Sequence, residues 1–221
     1  MDFLAAHWLD ITTTILGLAY ILLEYRASLW MWAVGFMMQS LGIVLYYQKG
    51  LYADCGMEFY YLSITIYGYC KWVGIGTKPS YSEKHREALP IRHIPRGIAL
   101  RWSLIMMAAW ATIYWLLVTF TNSTVPLADS FTTALSLIGI WALAHKYLEQ
   151  WLIWIAVDVV TCILYWHKDI PFKASLYALY VVIAIAGYMK WKREAHHSRI
   201  NSGQNLMNSG QNLKNNGQNL I

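Results

Sequence analysis

The sequence predicts an all-α polytopic membrane protein: seven transmembrane helices in a 3+1+3 arrangement of two parallel three-helix repeats. Three observations predict it. Hydrophobic residues make up 57% of the 221 positions and charged residues only 13%, against about 25% charged in a water-soluble domain, so the bilayer is the expected solvent. Seven apolar runs occur, at 8–25, 30–47, 54–76, 101–120, 126–144, 149–166 and 173–190, near the roughly 20 residues that a span requires. Sliding the chain by 119 residues lays its second half over its first without a gap.

The first run pairs with the fifth: "TTILGLAYI" from Thr13 lies over "TTALSLIGI" from Thr132. Thr13, Thr14, Thr132 and Thr133 are expected to bond carbonyls one turn back, as hydroxyls in spanning helices do. The second and third runs pair with the sixth and seventh. Between 30–72 and 149–191, 11 of 43 positions are identical, including Trp32/Trp151, Tyr46/Tyr165, Lys49/Lys168 and Tyr61/Tyr180. Both segments end alike, in "YGYCKW" (67–72) and "AGYMKW" (186–191). The fourth run, "RWSLIMMAAWATIYWLLVTF", has little polar content at its centre and reads as a tether. It returns the chain, so both repeats run in the same direction.

The resulting division is a first repeat at 8–76, a basic cytoplasmic loop at 77–100, a linking helix at 101–122, a second repeat at 126–193 and a tail at 194–221. The tail holds three seven-residue units, "NSGQNLM", "NSGQNLK" and "NNGQNLI". Their Gly and Asn are poor helix formers, so a flexible cytoplasmic tail is expected.

The net charge of +5 is a topology signal and not the footprint of a nucleic-acid partner. With the amino terminus outside, the inner face carries 14 of the 17 Lys and Arg, and only Lys49, Lys168 and Lys173 lie outside. The positive-inside rule then places the carboxy terminus in the cytoplasm. "MDFLAAHWLD" lacks the basic n-region of a cleavable signal. Cys55, Cys70 and Cys162 have no C-x-x-C spacing, and the seven histidines form no H-E-x-x-H pattern, so neither a metal nor a cofactor is expected. No G-x-S-x-G elbow, Walker A loop or mid-helix Schiff-base lysine occurs, which argues against a hydrolase, an ATP-driven pump and a retinal protein. No catalytic residue is assigned.

One residue type is out of place in these runs. Asp158 sits deep within "EQWLIWIAVDVV" (149–160), where a carboxylate in hydrocarbon costs roughly 2.5–3.5 kcal/mol by insertion scales. At about 100° per residue, Trp151, Trp154 and Asp158 share one helix stripe, as do Trp32, Gly35 and Gln39 at the equivalent positions. Two like helices presenting a mid-membrane polar group toward a shared axis describe a binding cavity, with its aromatic wall on the second repeat. Glu58, Tyr61 and Thr65 share a face in the third run, with Tyr177, Tyr180 and Ala184 as counterparts. The expected binding residues are therefore Gln39, Glu58, Tyr61, Trp151, Trp154, Asp158, Tyr177 and Tyr180. An aromatic face in a dry site attracts cations by about 0.5–2 kcal/mol, and a carboxylate beside it suits a flat cationic or amine-bearing ligand.

The 3+1+3 layout, W-x-x-W at Trp151 and Trp154, "LYAD" at Leu51–Asp54 and the G-Y-x-x-W ends resemble the Pnu-type bacterial vitamin transporters over roughly 10–193. The resemblance implies facilitated diffusion of an unphosphorylated vitamin across the bacterial inner membrane, with a cytoplasmic kinase trapping the product. It leaves the oligomeric state open, a homo-oligomer included. The nicotinamide riboside branch carries Asn four residues after the second Trp. Asp158 stands there in this chain, which points to the thiamine branch, with nicotinamide riboside transport as the alternative and proton-coupled transport through Asp158 as a further one.

Overall fold

The computed structural model describes residues 2–48, 50, 52–75, 89–121 and 124–218, and all of their side chains except those of 2–11, 13–14, 52–54, 199 and 201–218. It has seven helices: α1 (Asp2–Tyr25), α2 (Trp30–Gln48), α3 (Tyr52–Val73), α4 (Arg96–Phe120), α5 (Pro126–Ala144), α6 (Gln150–His167) and α7 (Pro171–Gln218). Among the described residues, α4, α5, α6 and Pro171–Ser198 of α7 are long and apolar enough to cross a membrane, and Ile15–Tyr25 is a shorter apolar stretch. Their outward faces are greasy: Leu104, Phe120 and Val182 are each more than 60% exposed. Such surface is unfavourable in water and neutral in lipid.

The helix ends repeat at the 119-residue offset. α1 closes through Ala27 N–H to Glu24 O (2.8 Å) and Ser28 N–H to Leu23 O (2.9 Å). α5 closes through Lys146 N–H to Leu143 O (2.9 Å) and Tyr147 N–H to Ala142 O (3.0 Å). Both are Schellman turns, and both use a non-glycine residue, Ala27 or Lys146, at φ 50°. The far turns match as well, with Gly50 at φ 70° and Asp169 at φ 54°.

Packing joins six of the helices into a ring in the order α1, α2, α3, α5, α6, α7 and back to α1. α2 therefore lies opposite α6. α4 packs on α5 alone and buries none of its residues. Thr132 and Thr133 donate to Ala128 O (3.0 Å) and Asp129 O (2.7 Å), the carbonyl bonds expected of them. Thr13 and Thr14 fall outside the described side chains.

Four tryptophans fill the ring at the end bearing the 26–29 and 145–149 turns. Trp32 meets Trp72 edge-on (5.4 Å, 88°) and Trp151 meets Trp191 edge-on (5.6 Å, 90°). Trp72 and Trp191 face each other across the join at 6.5 Å. Trp151 is 0% exposed, so it is no lipid-facing anchor. Two glycines admit these rings: a Cβ on Gly187 would lie 2.6 Å from the Trp151 ring, and one on Gly68 would fall closer still to Trp32.

α7 continues to Gln218, so the backbone of 194–218 is helical beyond the apolar span. The membrane-spanning part has already paid the nucleation cost. Extension then needs only one bond per added residue, which weak helix formers can supply. Lys190 and Glu194 (3.3 Å) bridge the junction at i, i+4 spacing.

Candidate functional site

Three helices converge on Asp158. It is 6% exposed, and its carboxyl lies within electrostatic reach of Tyr177 and Tyr180 on α7 and of Glu24 on α1. Among the described residues, no hydrogen bond joins it to Gln39, which occupies the equivalent place on the opposite helix. Gln39 Oε1 and Trp154 Nε1 are buried without a partner. Buried polar atoms are paired in the great majority of cases, so orphaned atoms such as these are ones whose bonding a polar ligand could complete.

The two tryptophans of the W-x-x-W stretch diverge. Trp151 turns to Gly187 and Trp191 on α7, whereas Trp154 lies against Gly139 on α5, 3.3 Å from where its Cβ would stand. Residues three apart on a helix differ by about 60° in direction, which is enough to send large rings to different neighbours. A single stacked wall does not form. The first repeat also differs from the expectation of a missing wall. Tyr20 of α1 covers Gly35, at 3.2 Å from a Cβ there, together with Thr65 of α3. Tyr20 is equivalent to Gly139 and Gly35 to Trp154, so each repeat pairs one aromatic with one glycine, donated from opposite helices.

Tyr61 and Tyr180 close equivalent joints of the ring. Tyr61 faces the Ser136 hydroxyl on α5, and Tyr180 places its hydroxyl 2.8 Å from a Cβ on Gly17 of α1, the position equivalent to Ser136. Tyr177 stacks on Tyr165 (5.5 Å). Glu58 lies over Gly42 of α2 and within reach of Tyr61, on the first-repeat half of the ring.

Sequence reasoning missed Glu24 and Gln150. Glu24 is 4% exposed and Gln150 0%. The two side chains come within hydrogen-bonding reach of each other but do not reach the geometry of a formed bond: Glu24 Oε1 and both Gln150 amide atoms are buried without a partner. One signal was available: Glu24 is a carboxylate in the last turn of an apolar helix, the end where the helix dipole disfavours negative charge.

The turn-bearing end is closed by a polar lattice. Residues 89–95 cross the 145–149 turn through Arg92 N–H to Lys146 O (3.2 Å) and Leu148 N–H to Arg92 O (3.0 Å). Glu149 accepts from His93 Nδ1 (2.8 Å) and Ile94 N–H (3.0 Å). Lys146 Nζ sits 4.1 Å over the Trp72 ring. Burial lowers the Lys146 pKa, an effect opposed by the charge of Glu194.

His145 links this lattice to α3. Its Nδ1–H donates to Trp141 O (2.9 Å), leaving Nε2 as the acceptor for the Tyr67 hydroxyl (3.2 Å). Burial lowers the His145 pKa below its ordinary 6.5; the Trp141 bond opposes this, while Lys71 and Arg92 add to it. The unfolded chain therefore binds the proton first, and the stability His145 contributes is full above pH 6.5 and is lost as pH falls through the folded value. Thermal melts should show a steeper loss between pH 7 and 5 for the native chain than for His145→Gln. Equal slopes would exclude this role.

The family described as nicotinamide mononucleotide transporter matches residues 7–193. The chain is 26% identical to a riboflavin/roseoflavin transporter, RibM, of Streptomyces davaonensis over 189 residues, covering 83% of this chain and 84% of that one. It is 21% identical to the nicotinamide riboside transporter PnuC of Escherichia coli over 216 residues, with 85% and 86% coverage. A crystal structure of the vitamin B3 transporter PnuC superposes with a TM-score of 0.66 at 19% identity, over 89% of this chain and 85% of the other, so the fold is shared. This multi-pass membrane protein belongs to the nicotinamide mononucleotide transporter family.

Proposed function

We propose that this chain carries a flat, cationic, nucleoside-like vitamin, nicotinamide riboside in the first instance, across the bacterial inner membrane by facilitated diffusion. The observation that carries the reading is Asp158: a buried carboxylate facing the tyrosines of α7, with the orphaned Gln39 on the opposite helix. A pyridinium ring meets a carboxylate and an aromatic edge there, and its carboxamide can use the donor and acceptor of Gln39. The expectation of thiamine from the Asp158 signature is not supported by the relatives named above, whose names specify riboflavin and nicotinamide riboside.

Two parallel repeats, joined by α4, rock against each other around the Gln39–Asp158 level. The equivalent turns, tryptophan pairs and tyrosine joints at the 119-residue offset support this 3+1+3 arrangement. Basic residues hold the turn-bearing end in the cytoplasm, where a kinase traps the product.

The test is uptake of labelled nicotinamide riboside, riboflavin and thiamine into proteoliposomes of the purified protein. Saturable uptake of nicotinamide riboside, not driven uphill by an imposed pH gradient, is expected. Uptake equal to that of protein-free vesicles would end the reading, and preference for another member of the panel would reassign the substrate.

A further inference from the structure

The Glu24–Gln150 pair is not required by the packing it sits in. Its equivalents at the 119-residue offset are Leu143 and Met31, both 0% exposed. The same place in the other repeat is thus filled by two apolar side chains. In the α1–α6 pair, the fold instead buries a carboxylate and a carboxamide that come within reach of each other but leave Glu24 Oε1, Gln150 Nε2 and Gln150 Oε1 without a fully formed bond. Leaving such groups unpaired is costly, and the last turn of α1 adds the negative end of its dipole. Both features favour a positive charge between the two side chains.

The pair is also placed along the path. α1 and α6 are not neighbours in the ring; both flank α7, so the two side chains meet in the ring interior. Gln150 lies eight residues before Asp158 on α6, or about 12 Å along the axis at 1.5 Å per residue, toward the turn-bearing end. Glu24 remains within electrostatic reach of Asp158. At the same end, Lys190 is engaged by Tyr25 O (3.0 Å) and Glu194 (3.3 Å). It forms no ion pair with Glu24.

We infer that Glu24 and Gln150 form an inner cation station, which receives the positively charged ring of the substrate after it leaves Asp158 toward the turn-bearing end. The inference rests on the transport reading above. A second carboxylate one step down the path lowers the barrier for a cation leaving the first, as adjacent sites do in conduction pathways. Asp158 sets equilibrium affinity; Glu24 sets the rate of passage.

The deciding variant combines Glu24→Leu with Gln150→Met, which installs the pair already used by the other repeat, and Glu24→Gln serves as the conservative partner. Because a buried charge is removed, the double variant should melt at or above the native temperature. Its affinity for nicotinamide riboside, read by tryptophan fluorescence, should stay within about twofold of native, while its maximal uptake rate falls about 10- to 100-fold, the scale of one lost charged hydrogen bond. Glu24→Asp should recover most of the rate. An unchanged rate would overturn the station, as would an affinity loss matching that of Asp158→Asn. If the native protein itself takes up no nicotinamide riboside, the substrate reading fails instead.

Discussion

Asp158→Asn is expected to weaken nicotinamide riboside binding by about 10- to 100-fold, equivalent to roughly 1.5–3 kcal/mol for one hydrogen bond or contact to a charged group. The substitution keeps the shape of the side chain and one acceptor oxygen but removes the charge. Asp158 is 6% exposed, so little solvent screens its field, and a cation loses most of that attraction when the carboxylate becomes an amide. Folding should not suffer, because no salt bridge reaches Asp158 among the described residues, and a buried charge without a partner is costly to keep. Fluorescence titration checks the affinity and a thermal melt checks the fold. Native affinity in the variant would make Asp158 a structural residue, and a melt lowered in step with affinity would say the same.

The second large effect concerns the helix contacts beneath the tryptophan cluster. Gly187→Ala places a methyl group 2.6 Å from the Trp151 Cη2 and Cζ2 atoms, closer than real Cβ atoms approach. Trp151 cannot yield, since it is fully buried and held edge-on by Trp191 at 5.6 Å. Overpacking of this kind costs roughly 1–3 kcal/mol and sometimes more. Combining Gly187→Ala with Trp151→Phe should restore part of the melting temperature, because the smaller ring vacates the contact. Gly56 and Gly97 have nothing within 4 Å of an added Cβ. Alanine at Gly56, inside α3, should be neutral or stabilising by up to about 1 kcal/mol, and at Gly97, in the first turn of α4, close to neutral. A melt unchanged by Gly187→Ala would show that α6 and α7 can slide apart.

These predictions separate what was legible in the chain from what was not. The equivalence of Trp32 with Trp151, Gly68 with Gly187 and Trp72 with Trp191 is visible as a constant offset, because a repeat that keeps its helix contacts keeps the residues that make them. The divergence of Trp151 and Trp154 is not visible. Helix geometry places residues three apart on a common face, but which neighbour each ring meets depends on the gaps left by other helices, here Gly187 on α7 and Gly139 on α5. Tyr20 is hidden in the same way. It fills the space over Gly35 from a different helix, so the aromatic absent from α2 at that position is supplied by α1.

The amino-acid sequence by itself determined the solvent, the helical class, the internal repeat and the unusual position of Asp158. Each follows from composition, spacing or a constant offset along the chain, and none depends on which helices become neighbours. Only the tertiary structure decided that α2 faces α6 across a ring of six helices and that α4 stays outside it. It also decided that Glu24 and Gln150, 126 positions apart in the chain, meet in its interior. Such a meeting is set by the order in which helices pack around the ring, and that order leaves no periodic trace along the chain.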